Sequence, residues 1–227
     1  MITTRTLARH IGLNRFLGNL LPHRDYEAAF DTAMFKHIST GDQVWDIGAN
    51  VGYYTTKFSE KVGVNGRVVA FEPFPKTFTK LSEKVSKLSN VQVVSWGIGQ
   101  ENATLKMMDA GDGNGVTNRI VDDEEVLGVH VKVTTADDAM SMLGLPVPNV
   151  VKIDTEGFEL DVIVGMGNLL LKPELRAVFI EIHFSLLNER GLPFAPATIE
   201  RLLLESGFNV NWTDASHIAA IRDFSNA

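Results

Sequence analysis

The sequence predicts an α/β fold, a mostly parallel sheet with helices on both faces. Two observations carry this. From Gly41 onward, short apolar runs alternate with helical stretches, a rhythm that winds a parallel sheet with helices front and back. The chain then closes on two strand-like segments, Phe208–Trp212 and His217–Arg222. Only about four residues join them, too few for a crossover, so they pair antiparallel.

The elements follow in order. Thr40-Gly41-Asp42 forms a turn before the buried strand Val44–Ile47. Tyr53–Val62 is a helix, Arg67–Phe71 a second strand, Pro75–Leu88 a helix and Val91–Val94 a third strand. The rhythm then breaks: Ala103–Met108 and Val129–Thr134 alternate apolar and polar residues, as half-buried strands do. Between them lies a stretch rich in Gly, Asp and Asn, and a loop that long in a compact domain usually carries function. Asp137-Asp138 starts a helix. Strand Val150–Ile153, helix Phe158–Leu170, strand Ala177–Ile182 and helix Pro196–Ser206 resume the alternation.

The chain has 227 residues, 44% of them hydrophobic and 22% charged, enough to bury a sizeable core and unlike a disordered or fibrous chain. A formal charge of −7 argues against a general nucleic-acid binder. No apolar run approaches the roughly 18–20 residues of a membrane span. Cysteine is absent, which excludes disulfides and thiolate sites and fits a cytoplasmic protein. The first segment is different: Arg5, Arg9, Arg15 and Arg24 occur with no acid before Asp25, and Leu7, Ile11, Leu17, Leu20 and Leu21 recur at roughly helical spacing. Residues 1–40 therefore read as a helical flap docked on a domain spanning 41–227. A targeting peptide and a membrane-surface helix are the alternatives. The oligomeric state stays open, a homo-oligomer included.

Chemistry concentrates at strand ends. Asp46-Ile47-Gly48-Ala49-Asn50-Val51-Gly52 leaves the first strand and opens a helix, where doubly wound sheets bind ligands. Gly48 lets the backbone turn close to a ligand, Gly52 lets helix pack on sheet, and Asn50 is placed to cap the helix. Glu72 ends the second strand about 20 residues later, where nucleotide-binding sheets put an acid on ribose hydroxyls. Asn50 stands where a dinucleotide loop wants its second glycine, and Asp46 repels a diphosphate. A sulfonium and an ammonium suit that acid. On charge, the site favours S-adenosylmethionine over a nicotinamide cofactor.

Four motifs together, Asp46–Gly52 with Thr55, Phe71-Glu72-Pro73, Val151–Glu159 (VKIDTEGFE) and Ile180–His183 (IEIH), resemble the FkbM family of S-adenosylmethionine-dependent methyltransferases. The resemblance covers about Asp42 to Phe184. It implies a class I methyltransferase (Rossmann-like) fold, a seven-stranded, mostly parallel sheet ending in a reversed hairpin. It implies O-methylation of a small hydroxylated acceptor such as a sugar, a glycoside or a polyketide-type alcohol. By the same resemblance Asp46, Gly48, Asn50 and Gly52 line the methionine end and Glu72 the ribose. Ser95 and Trp96, after the third strand, lie where such folds hold adenine, and Trp96 either stacks on the base or is an ordinary half-buried aromatic.

A second constellation lies at the fourth and fifth strand ends. Asp154, Glu156 and Glu159 are acids there, and Glu181 and His183 share one face of the fifth strand. Lys152, on the probable neighbouring strand, is the candidate ion-pair partner of Glu181. Glu159 falls in a helix first turn, where an acid is favoured anyway. His183, Asp154 and Glu181 are the catalytic candidates, and Glu156, Glu181 and His183 the acceptor-binding ones. His183 is the expected base, because an ordinary histidine is largely neutral at pH 7. Asp154, Glu156 and His183 are hard-ligand types, but the other histidines show no paired ligand spacing, so no metal is assigned. The competing readings are a nicotinamide-dependent oxidoreductase and a non-catalytic cofactor-binding or scaffold domain.

Overall fold

The computed structural model describes residues 23–108, 119–121 and 128–223. The apolar N-terminal spacing at Leu7–Leu21 and most of the Gly/Asp/Asn-rich stretch lie outside the described residues.

The described chain runs helix α1 (His23–Lys36), strand β1 (Gln43–Ile47), α2 (Tyr53–Val62), β2 (Arg67–Phe71), α3 (Pro75–Val85) and β3 (Val91–Val94). It continues through β4 (Trp96–Ile98), β5 (Ala103–Met108), β6 (Arg119–Val121), β7 (Val129–Thr134) and α4 (Ala136–Leu143). It ends with β8 (Val150–Ile153), α5 (Glu159–Met166), β9 (Ala177–Glu181), α6 (Phe184–Glu189), α7 (Ala195–Glu205), β10 (Asn209–Trp212) and β11 (His217–Ile221).

Seven strands form the main sheet in the order β3-β2-β1-β8-β9-β11-β10. The pairs from β3 to β9 are parallel, and β11 runs antiparallel to both β9 and β10. The strand order reverses between β1 and β8, the switch point at which such sheets bind ligands. Central strands read as continuous apolar runs because both faces are covered: every residue of β8 is buried. Asp46 on β1 and Lys152 on β8 interrupt those runs, opposite one another in register.

One face packs Trp45, Ile47, Phe71, Ile153 and Ile180 with residues of α4, α5 and α7. The other packs Val44, Val68 and Phe179 with Phe30 and Met34 of α1 and Phe58 and Val62 of α2. Helix α1 is thus built into the core.

Several elements differ from the sequence expectation: among them, α3 stops at Val85 and Arg119–Val121 is a strand within the expected loop. Helix α5 stops at Met166 and a 3₁₀ turn, Gly167–Leu171, continues it. Helix α6 follows His183 in a stretch too short for a periodic signal. Trp96–Ile98 is a strand, pairs parallel with β7 and joins β5 and β6 in a second sheet of order β4-β7-β5-β6. Among the described residues, no helix is long and apolar enough to cross a membrane.

Phe30 is 1% exposed and lies edge-on to Phe179, ring centroids 5.9 Å apart. Phe30→Ala should lower unfolding free energy by about 3–5 kcal/mol, measured by urea denaturation. An α1 that only rests on the domain would leave the midpoint unchanged.

Candidate active site

The loop after β1 forms one wall of the site. Gly48 sits at φ +78°, and a Cβ there would lie 1.8 Å from the Asp154 carbonyl oxygen. Only glycine lets the β1 and β8 ends approach so closely. The Gly48 and Ala49 amides both donate to the Phe71 carbonyl. Asn50 has φ +50°, an uncommon conformation outside glycine. It does not cap α2, contrary to the sequence reading. Gly52 at φ +80° is the N-cap, with no side-chain cap bond. The Asn50 side-chain oxygen is buried without a hydrogen-bond partner.

Glu72 closes the loop from β2. Its Oε2 accepts the Asn50 amide at 3.0 Å and its Oε1 the Phe74 amide at 2.9 Å. Burial nevertheless pushes its carboxyl up to about 7.

Beneath the loop is a buried charge sandwich. Lys152 Nζ lies 3.6 Å from Asp46 Oδ1 and 3.1 Å from Asp154 Oδ2, with the Tyr54 ring 4.6 Å away. Thr55 Oγ1 donates to Asp46 Oδ2 at 2.6 Å. Burial opposes the lysine's charge, but Asp154 and Asp46 outweigh it and hold its pKa above the usual value. Burial pushes Asp46 up, against the pull of Lys152 and Thr55. Asp46 Oδ1 has no hydrogen-bond partner. The sequence pairs Lys152 with Glu181; the structure does not. Register decides this, because Lys152 lies opposite Asp46 on β1 and opposite Phe179 on β9.

The fourth and fifth strand ends bring the remaining candidates together around His183. Its Nδ1 is 2.9 Å from Glu159 Oε1, and its Nε2 is 3.4 Å from Glu156, 3.8 Å from Asp154 and 3.9 Å from Glu181. Burial lowers the pKa of His183, but Glu159, Asp154 and Glu156 overcome it and raise it to about 10. The neutral histidine expected from the sequence is therefore a protonated one here. Burial also lifts Glu156 to about 7, against the pull of His183 and with help from neighbouring carboxylates. Burial pushes Asp154 up, but Lys152 and then His183 outweigh it and hold it below the usual carboxylate range.

The sequence reading gave two members no role in the site. Glu159 is fully buried and receives both the Gly157 amide and the His183 ring, so it is more than a helix-dipole acid. His217 is paired in register with Glu181, 3.6 Å from its carboxylate, and bonded to Asp214 at 2.8 Å.

A cleft of about 700 Å³, partly open to solvent, joins the two halves. Gly48, Asn50, Glu72, Asp154 and Glu156 line it, with Ile47, Phe71, Ile98, Met107, Val133 and Phe158 as apolar wall. Ser95 and Trp96 are not in that lining; their neighbours Gly97 and Ile98 are. Ser95 is exposed, and the Trp96 ring lies under the Lys132 ammonium at 3.5 Å. The lining carries acids and no lysine or arginine. A diphosphate would find no positive partner among these residues. Asp46 and Gly52 are not in that lining either: Asp46 is fully buried, its Oδ1 3.6 Å from Lys152 Nζ, so the lining offers Glu72, Asp154 and Glu156 to a cationic donor, with an apolar wall for a base.

The model of the methyltransferase FkbM domain matches residues 46–210. The chain belongs to the FkbM methyltransferase family. FkbM methyltransferases use S-adenosylmethionine, and the match supports a methyltransferase and not the nicotinamide-dependent alternative. The hexuronic acid methyltransferase AglP of Haloferax volcanii is 29% identical over 151 residues, 66% of this chain and 59% of that protein. Methyltransferase 1 of Beauveria bassiana is 26% identical over 164 residues, 63% of this chain and 64% of that protein. The chain thus matches less than two thirds of either relative's length. Fibrillarin of Aeropyrum pernix, solved with S-adenosyl-L-methionine, shares the fold: TM-score 0.53, 12% identity, 85% of this chain and 74% of that one. Structural neighbours of this kind are class I methyltransferases.

The His217 pKa is raised from 6.5 to about 9; burial opposes this, and the bonds to Asp214 and Glu181 prevail. A raised folded-state pKa stabilises fully below the unfolded value and is lost as pH rises through the folded one. Relative to His217→Asn, the native protein should lose an advantage of about 3 kcal/mol between about pH 6 and pH 10, read by urea denaturation. A pH-independent difference would show that His217 is neutral.

Proposed function

We propose that this methyltransferase is an O-methyltransferase acting on a hydroxyl of a small polar acceptor, of the sugar or glycoside kind, with a polyketide-type alcohol as the other candidate class. One observation carries the reading. Asp154, Glu156, Glu181 and His183 converge beside the donor cleft, and a ring of acceptors around one cationic donor suits a molecule rich in hydroxyls. The hexuronic acid named in one relative's title is a compatible class.

S-adenosylmethionine supplies a sulfonium-bound methyl group as electrophile. Toward it, Asp46, Gly48 and Asn50 would hold the methionine end and Glu72 the ribose hydroxyls. Ile98, Met107, Val133 and Phe158 exclude water from the base. On the acceptor side, Asp154, Glu156 and His183 fix the attacking hydroxyl. Alignment of that oxygen is the largest part of the catalysis. Glu181 takes the hydroxyl proton as the oxygen–carbon bond forms. It is suited to this because it is 36% exposed and accepts no bond shorter than 3.6 Å among the described residues. His183, protonated in this setting, donates rather than accepts.

The direct test is methyl transfer from isotopically labelled donor to a panel of glycosides and polyketide alcohols, with the product's labelled position read by NMR. Label on oxygen supports the reading; label on nitrogen or carbon contradicts it. With an acceptor in hand, Glu181→Gln should lower kcat about 10²–10⁴-fold while S-adenosylhomocysteine affinity stays within about twofold. Wild-type turnover in Glu181→Gln would remove it as the base.

The pKa of Glu72 near 7 gives a second test. Ribose hydroxyls donate best to the ionised carboxylate, so cofactor binding near that pH should release a proton. Calorimetry in buffers of different ionisation enthalpy should detect this release for the native chain. Glu72→Gln should abolish it and weaken binding by about 1.5–3 kcal/mol. Proton release that persists in Glu72→Gln would assign it to another group.

A further inference from the structure

We propose that Asp154, Glu156 and His183 form a binding site for one hard divalent cation of the manganese or magnesium class, which holds the acceptor oxygen. The inference rests on reading this cluster as the acceptor side. The sequence marks these three as hard-ligand types without assigning a metal, since they come from two strand ends and only the fold brings them together. The fold brings one donor atom of each within 4.8 Å of the others.

Three features support it. First, the distances suit a shared ion. Ligands about 2.1 Å from one centre place neighbouring donors about 3.0–3.6 Å apart; His183 Nε2 lies 3.4 Å from Glu156 Oε2, within that range, and 3.8 Å from Asp154 Oδ1, slightly beyond it, so an ion would draw Asp154 in by a few tenths of an ångström. Second, the histidine is held as a ligating histidine is. Glu159 takes its Nδ1 at 2.9 Å, which leaves Nε2 facing the two carboxylates, the carboxylate–histidine–metal arrangement. Glu159 is 0% exposed; its Oε1 takes the His183 ring and the Gly157 amide, and its Oε2 has no hydrogen-bond partner. Third, the charges do not balance. Asp154, Glu156, Glu159 and Glu181 all lie within 3.9 Å of the one His183 ring. Of these four, ion pairs among the described residues join Lys152 to Asp154 and His217 to Glu181, and none joins a lysine or arginine to Glu156 or Glu159. A proton on His183 is a weak answer to that field; a dication would displace it. The two carboxylates supply the oxygen ligands that manganese and magnesium take. A cation here lowers the pKa of a bound acceptor hydroxyl and leaves Glu181, outside the ligand set, to receive the proton.

The test uses the full chain, treated with chelator and titrated with manganese(II) chloride alone, without donor or acceptor. Loss of the free-ion electron paramagnetic resonance signal should report one ion per chain, and pulsed spectra should show coupling to one imidazole nitrogen. His183→Ala should abolish that coupling and weaken binding at least about tenfold. Glu159→Gln, which keeps every ligand, should weaken it about 10–100-fold. Retained S-adenosylhomocysteine binding certifies that each variant is folded. Should His183→Ala fail to fold, the nitrogen coupling of the native chain decides alone. No stoichiometric ion on the native chain, or an ion without nitrogen coupling, overturns the proposal. Neither substrate is present, so a negative result leaves methyl transfer standing, and absent methyl transfer leaves the metal result standing.

Discussion

The buried ammonium of Lys152 is the constraint on which both halves of the site depend. It sits at the switch point of the sheet, between Asp46 of β1 and Asp154 beyond β8. Lys152 is 3% exposed and Asp46 fully buried. Neither charge would survive there alone, since an unpaired buried ion costs several kcal/mol. Together they fix the ends of β1 and β8, with Asp46 buried beneath the loop and Asp154 in the cleft lining. The Gly48 turn completes the arrangement by allowing the two strand ends to touch.

The two sides of the cleft solve opposite problems. In our proposal the donor side is the partly open part of the cleft, with Glu72 satisfied by two backbone amides and an apolar wall beside it. Such a setting binds by shape and by a few fixed polar groups. The acceptor side concentrates carboxylates around one histidine, and the field they create is strong enough to reverse the expected protonation of His183. That reversal moves the proton-accepting role in our proposal from the imidazole to a carboxylate.

Much of the architecture was legible in the chain because it rests on local signals. Apolar runs marked the seven strands of the main sheet, the short join between Phe208–Trp212 and His217–Arg222 marked the antiparallel pair, and the glycines after Asp46 marked the ligand loop. What escaped depends on register and on contacts distant in sequence. Whether Lys152 meets Glu181 or Asp46 is settled by which residues stand beside it on β9 and β1. Glu159 meets His183 across 24 residues, and its position in a helix first turn offered a sufficient local explanation. His217 joins Glu181 only through the antiparallel register of β11. Trp96, placed by its position after the third strand as either a platform for a base or an ordinary half-buried aromatic, is half-buried in a strand of the second sheet with its ring against Lys132.

The central claim is that Lys152 and Asp46 stabilise the switch point as a mutually dependent pair. A double-mutant cycle in urea tests it directly. Lys152→Met alone should cost about 3–5 kcal/mol, because it strands Asp46 in the core. Adding Asp46→Asn should recover a large part of that loss, giving a coupling energy above about 1 kcal/mol. Additive effects of the two substitutions, or a Lys152→Met protein as stable as the native one, would contradict the account.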